Sequence, residues 1–306
     1  MEWIVARWVT FVATMLVTGA CTIGLLLLPR TPAGDDRDAL ARDTARAGML
    51  AGLACIPASV LRLADQVFAL RSPDDPLLAG VGALLGNTTW GTGFLWQSAA
   101  LLLAVGALYA ASRFPRAPVA WLLAAVGAIG LCVTPALQGH AIGSEQYTIV
   151  AVTAHVAHVT GAALWLGTLG LLAMLGVALP NADGVTTAAR ARLADARLAL
   201  LVPLVPRVAL PGAALLLVSG VTSALLHLRE VTDLWQAEWG RYVLAKTVLV
   251  IVIVALGATN WRRLGPRIRQ DRGVPPLRRS LLIELGVSAL VLLVTAMLVV
   301  TPLPGE

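Results

Sequence analysis

The 306-residue chain is 58% hydrophobic and only 13% charged, with a mean hydropathy of +0.81. A soluble domain is nearer half apolar and a quarter charged, so this composition excludes a water-soluble globular protein and puts the chain in a membrane. A net charge of +6 would suit a nucleic-acid binder, but 22 of the 23 basic residues are arginines set between apolar runs, which speaks for topology and against nucleic acid.

Windows of about 19 residues give eight apolar spans, near 3–28, 47–70, 93–112, 119–138, 148–178, 207–228, 242–261 and 279–301. None shows the alternation of a membrane β-barrel. The expected fold is therefore all-α, a polytopic membrane helix bundle of about eight transmembrane helices. The first run is too long for a signal-peptide core and is followed by only a weak cleavage site, "TPAGDDRDA", so it counts as span 1.

The loops after odd-numbered spans hold most of the arginines. They carry Arg30, Arg37, Arg42 and Arg46, then Arg113 and Arg116, then Arg190, Arg192, Arg197 and Arg207, and last Arg262, Arg263, Arg267, Arg269, Arg272, Arg278 and Arg279. The alternate loops hold only Arg71, Arg229 and Arg241. Positive charge collects on the cytoplasmic side, so both termini are expected outside. The outward loops "SPDDPLLAGVGALLGNTTWG" and "REVTDLWQAEWGR" read as short interfacial segments, and most of the nine tryptophans as an aromatic belt. "TTAARARLADARLALL" (186–201) reads as an amphipathic helix on the inner face, its arginines meeting anionic lipid. With no linker, soluble segment or internal repeat, residues 1–306 form one membrane domain.

Several ionisable groups lie inside the apolar runs. Arg7 is in span 1. Arg62 and Asp65, three apart in span 2, are placed to neutralise each other. Lys246 in span 7 is placed to snorkel, and Glu284 in span 8 to pair with Arg278 or Arg279. Asp65, Lys246 and Glu284 are candidates for a polar route taken by a cation or proton. Cys21, Cys55 and Cys132 read as small core residues, with Cys132 a secondary candidate ligand because it precedes His140 by eight residues. Met15 and Met297 read as isolated apolar side chains.

All four histidines fall towards the outer ends of the spans. His140 lies just after span 4, His155 and His158 in the first half of span 5, and His227 at the end of span 6. The span 5 pair sits roughly 10 and 15 Å below the outer end, on one face, and Trp165 continues that stripe. Imidazole is the commonest protein metal ligand and suits copper or zinc. His140, His155 and His158 are thus the leading metal candidates, and His227 is a fourth candidate whose other reading is a simple interhelical hydrogen bond.

These motifs resemble a family. "GHA" (139–141) followed by "AHVTGAALWLGTLGLL" (157–172) is similar to the histidines and Trp-Leu-Gly of the copper resistance protein D (CopD) membrane domain. "PRVALPGAALLLVSGVTSAL" (206–225), "EWGRYVLAKTVLVIVIVALGATNWRRLGP" (238–266) and "LRRSLLIELGVSALVLLVTAMLVVTPLP" (277–304) resemble its last three spans. The likeness is strongest over 135–304. In the first half it rests on "RW" (7–8) and "NTTWG" (87–91), with Gln97 where the family leads one to expect a basic residue.

The resemblance implies a multi-pass protein of the bacterial plasma membrane that brings copper inward and is not an enzyme. It carries the metal role onto His140 and His158; His155 and His227 rest on the residue-level argument alone. Copper is the expected ion, delivered by a periplasmic or extracellular copper-binding protein. Some relatives carry a cytochrome oxidase assembly domain absent up to Glu306, so a role as a copper-delivery scaffold is expected to need an oxidase assembly factor as partner. Haem-based electron transfer is the other alternative, limited to one haem because the inner half holds no histidine. No nucleotide-binding loop is present to drive transport with ATP.

Overall fold

The computed structural model describes residues 2–71, 76–138, 148–176, 187–264 and 274–304. These are helices and short connectors, and among the described residues there is no strand. Eight helices are long and apolar enough to cross a membrane: span 1 Ile4–Arg30, span 2 Asp35–Leu70, span 3 Thr89–Arg113, span 4 Pro118–Gln138, span 5 Thr148–Gly176, span 6 Pro206–His227, span 7 Glu238–Arg262 and span 8 Arg279–Leu298. The chain is an all-α polytopic bundle. Consecutive spans run in alternate directions, so the start of span 1 and the ends of spans 2, 4, 6 and 8 lie at one end of the bundle, the terminus-bearing end, and Arg30, Arg113, Arg116 and Arg207 lie at the other, the arginine-rich end.

Span 2 departs most from the apolar windows, because its helix starts 12 residues before the expected boundary, at Asp35 rather than residue 47. No breaker lies in between, Gly34 starts the helix with φ +154°, and Asp35, Asp36 and Asp38 sit in the first turn, where carboxylates favour the positive end of the helix dipole. The protruding turns carry charge to the arginine-rich end. Arg116 donates to Asp38 through Nε at 2.8 Å and Nη2 at 2.7 Å, which holds its guanidinium above the ordinary value. Asp43 takes Arg197 and Arg46.

Both segments expected to face outward contain short helices, Leu77–Asn87 and Asp233–Gln236. The 186–201 segment is helical over Thr187–Leu201, but it is not simply laid on lipid. Ala194, Leu198 and Leu201 are buried, Leu198 fits against Gly176 of span 5, and Arg197 reaches the span 2 carboxylate. The tryptophans divide too: Trp96, Trp235 and Trp261 are exposed, whereas Trp121, Trp165 and Trp239 are buried. Trp8 donates to the Ala289 carbonyl of span 8 at 3.0 Å, so it serves as an interhelical tie.

Spans 1 and 5 form the centre, with 72% and 78% of their apolar windows enclosed against 6% for span 7. Their crossing is backbone on backbone. A Cβ on Gly19 would stand 2.2 Å from the Gly167 carbonyl oxygen, and one on Gly167 would stand 2.0 Å from that of Met15. Lipid offers helices no hydrophobic reason to associate, so close approach at small residues supplies the dispersion energy instead. Gly161 makes the same contact with Gly212 of span 6, where a Cβ would meet the Gly212 carbonyl at 2.7 Å. Gly167 also closes a π turn over Ala163–Gly167. The extra residue turns the rest of span 5 by roughly 100° relative to the histidine half.

Gly19→Val is expected to cost at least about 1–3 kcal/mol, since no flexible neighbour can yield to the new methyl groups. A lower melting temperature of the purified variant in detergent checks this; an unchanged melt would mean that the two spans can part without loss.

Candidate functional site in the membrane interior

Two of the four histidines are brought together with groups from other spans. His158, ten residues into span 5, has Nδ1 3.2 Å from Ser219 Oγ of span 6 and Nε2 3.3 Å from Lys246 Nζ of span 7. Ser219 lies eight residues before the end of span 6 and Lys246 eight residues into span 7, so all three are roughly 12–15 Å from the terminus-bearing end. Gly220 leaves space for the ring: a Cβ there would stand 3.2 Å from His158 Cε1.

The Ser219 hydroxyl has one proton and places it on span 6 carbonyls, Leu215 at 2.6 Å and Leu216 at 3.2 Å. Towards the imidazole it is therefore an acceptor. His158 carries its proton on Nδ1 and presents the Nε2 lone pair to Lys246. The lysine expected to snorkel is instead the neighbour of a histidine.

His155 lies one turn nearer the terminus-bearing end. Its Nε2 is buried and has no hydrogen-bond partner, a situation native proteins keep rare. Lys246 and His227 are both within electrostatic reach of it. His227 closes span 6, donates from Nδ1 to the Ser223 carbonyl at 2.6 Å, and packs at a tilt on Trp239 with ring centres 6.0 Å apart. Its Nδ1 is thus committed to its own helix. His140 lies outside the described residues. Among the described residues no three His, Cys, Asp or Glu side chains gather where a metal ion could be held.

The other candidates go elsewhere. Cys132 is 1% exposed, contacts Thr18 Oγ1 at 3.6 Å and belongs to an apolar cluster with Met15, Trp165, Leu216 and Ile253. Arg62 does not pair with Asp65. It donates to Gln138 Oε1 at 2.7 Å and to Gln97 Oε1 at 3.5 Å, and Gln138 donates to Gln97 at 2.7 Å. Asp65, half-buried, lies instead within electrostatic reach of Arg7. Gln97, conspicuous for not being basic, is thus the acceptor at the centre of this network.

Glu284 is 2% exposed and takes a hydrogen bond of 2.5 Å from Asn260 Nδ2 at the foot of span 7, so its partner is not Arg279. Arg278 has no described side chain. Asn260 opens a π turn over Asn260–Leu264, and its Oδ1 is buried without a partner. Glu284 therefore stands far from Lys246, towards the arginine-rich end. The named polar groups do not form one continuous file.

Ser219, Gly220, Gln138 and Asn260 were not visible as site residues from composition. The small Ser-Gly pair within the bulky run "LLLVSGV" was the available signal for the first two.

The described residues thus set a part-buried imidazole, with a second imidazole beside it that has an unpartnered nitrogen, inside a multi-pass helix bundle. The "Copper resistance protein D-like, N-terminal domain" profile matches residues 1–148, and the "Copper resistance protein D" profile matches 202–298. The chain belongs to the copper resistance protein D family. It is also similar to "Inner membrane protein YebZ" of Escherichia coli (strain K12), 28% identical over 301 residues, which is 97% of this chain and 96% of that protein. No solved structure matches.

Asn260→Ala is expected to lower the melting temperature, because it strips the buried Glu284 of its donor at a cost of about 1–3 kcal/mol. Adding Glu284→Gln should recover part of the loss, a neutral amide being cheaper to bury than a carboxylate. Additive losses in the double variant would contradict this account.

Proposed function

We propose that the chain carries copper across the bacterial plasma membrane, inward from the periplasmic or extracellular side, acting as one membrane domain and without enzymatic activity. The observation that carries the reading is the buried, unpartnered Nε2 of His155 beside a His158 ring whose Nε2 lone pair also faces the bundle interior. Neutral imidazole nitrogens are good copper ligands, and an orphaned one in a membrane interior needs a reason.

In this reading His158 and His155 take the ion, His140 completes the site from the span 4–5 connection, and His227 stands at the approach. The arginine distribution supports an outside position for the histidine-bearing end. Membership in the copper resistance protein D family supports copper as the substrate, and the printed name of the Escherichia coli relative supports the inner membrane as the location. The membrane potential supplies about 2.3 kcal/mol per charge per 100 mV for inward movement of a cation. A periplasmic or extracellular copper-binding protein would hand over the ion, and an oxidase assembly factor would be a natural recipient.

Copper accumulation should be measured in cells with and without the protein, and with His158→Ala. The variant is expected to insert normally and to lose all accumulation attributable to the protein. Undiminished uptake by the inserted variant would remove His158 from the site. Normal uptake in cells lacking the protein, with an oxidase deprived of its metal, would instead mark a delivery subunit.

A further inference from the structure

We infer that Lys246 is a tethered competitor for the copper site, occupying the His158 Nε2 position that the ion must take and so setting both its affinity and its selectivity. This rests on the reading of His158 as a copper ligand, and it assigns Lys246 a role that the spacing of residues along span 7 does not suggest.

The geometry supplies three independent pieces. Ser219 fixes the tautomer: its proton is given to the Leu215 and Leu216 carbonyls, so His158 donates from Nδ1 and its one available lone pair is on Nε2. Lys246 Nζ lies 3.3 Å from that nitrogen, close enough to donate to it. The His155 Nε2, within electrostatic reach of the same lysine, is left without a partner, so the ammonium has taken the deeper imidazole and not the shallower one.

A lysine can donate a hydrogen bond to an imidazole lone pair but can never ligate a metal through an N–H. Copper and Lys246 therefore cannot share His158 Nε2, and binding must break this contact. Span 7 is the least enclosed of the spans, and the lysine stem is four carbons long, so the head group can withdraw towards the terminus-bearing end when displaced. Hard cations such as sodium, potassium or magnesium gain little from an imidazole nitrogen and cannot pay for breaking the contact. A copper ion gains a strong bond and can. The contact thus acts as a threshold that copper passes and abundant cations do not.

The test uses the full-length protein in lipid nanodiscs, with copper alone as probe, in its reduced and oxidised forms, titrated against a competing chelator. Lys246→Leu, which removes the donor without adding a ligand, is expected to bind copper at least about tenfold more tightly than the wild type, since a hydrogen bond to a charged group no longer has to be broken, and to admit silver or zinc more readily. Lys246→Arg, which keeps a charged donor, should bind no more tightly than the wild type. Unchanged or weaker binding by Lys246→Leu, with His158→Ala abolishing binding, overturns the competitor role and leaves the copper site standing. Full binding by His158→Ala overturns both.

A measurement on the unmodified protein guards against a misfolded variant. In the metal-free protein, nitrogen-15 NMR of labelled histidine should show His158 protonated on Nδ1, with Nε2 as a hydrogen-bonded acceptor. A proton on Nε2 would exclude Lys246 as the donor to that nitrogen and refute the inference.

Discussion

The structure depends on the place where spans 1 and 5 touch through bare backbone. A helix bundle in lipid has no hydrophobic effect to draw its members together, so its centre forms where backbones approach most closely. Gly19 and Gly167 allow that approach, and Gly161 with Gly212 repeats it one span further round. Span 5 is consequently held between span 1 and span 6, its second half enclosed and its first half partly exposed. His155 and His158, both part-buried, are turned towards neighbouring spans because of where the glycines are, not because of their own chemistry. The π turn that ends at Gly167 separates the two demands on span 5, a face for the histidines above and a face for the Gly19 crossing and Leu198 contacts below.

Given an interior without water, each ionisable group needs a partner from another helix, and three separate solutions appear. Arg62 is met by the amide oxygens of Gln97 and Gln138, His158 by Ser219 and Lys246, and Glu284 by Asn260. Each joins two or three spans, so these contacts specify which helices are neighbours as well as satisfying charge. None is a conventional buried ion pair. Amides and hydroxyls carry a smaller desolvation penalty than a second charge would, which suits a medium where an ion pair must recover the solvation of both members. Of the five buried polar side-chain atoms without a partner among the described residues, two stand beside these contacts, His155 Nε2 and Asn260 Oδ1, at opposite ends of the set.

The span count and the short helices between spans were legible in the sequence, because hydropathy over about 19 residues is a property of local segments. The start of span 2 was not, since its first turns are polar and the apolar signal begins only where the membrane would. The interior pairings were misread in a consistent way. Sequence spacing suggested Arg62 with Asp65 and Glu284 with Arg279, neighbours along one helix, whereas the structure satisfies each group across helices. Spacing reports i,i+3 and i,i+4 geometry and is silent about which helix comes alongside. Ser219 illustrates this: the small Ser-Gly pair marks a place of close approach in span 6 but not the partner, and Ser219 acquires a role only because Gly212 and Gly220 bring span 6 close to span 5.

The same logic explains why a lysine stands at position 246 in a chain whose other 22 basic residues are all arginine. A guanidinium presents several donors in a rigid plane and is at home where two acceptors lie side by side, as Arg62 shows with its two glutamines. An imidazole whose other nitrogen is already committed has a single lone pair to offer. A compact ammonium on a flexible stem matches one acceptor and can leave it without dismantling a fork of bonds. At His158 the side chain that can let go occupies the nitrogen, and the residue type itself is part of how the site works.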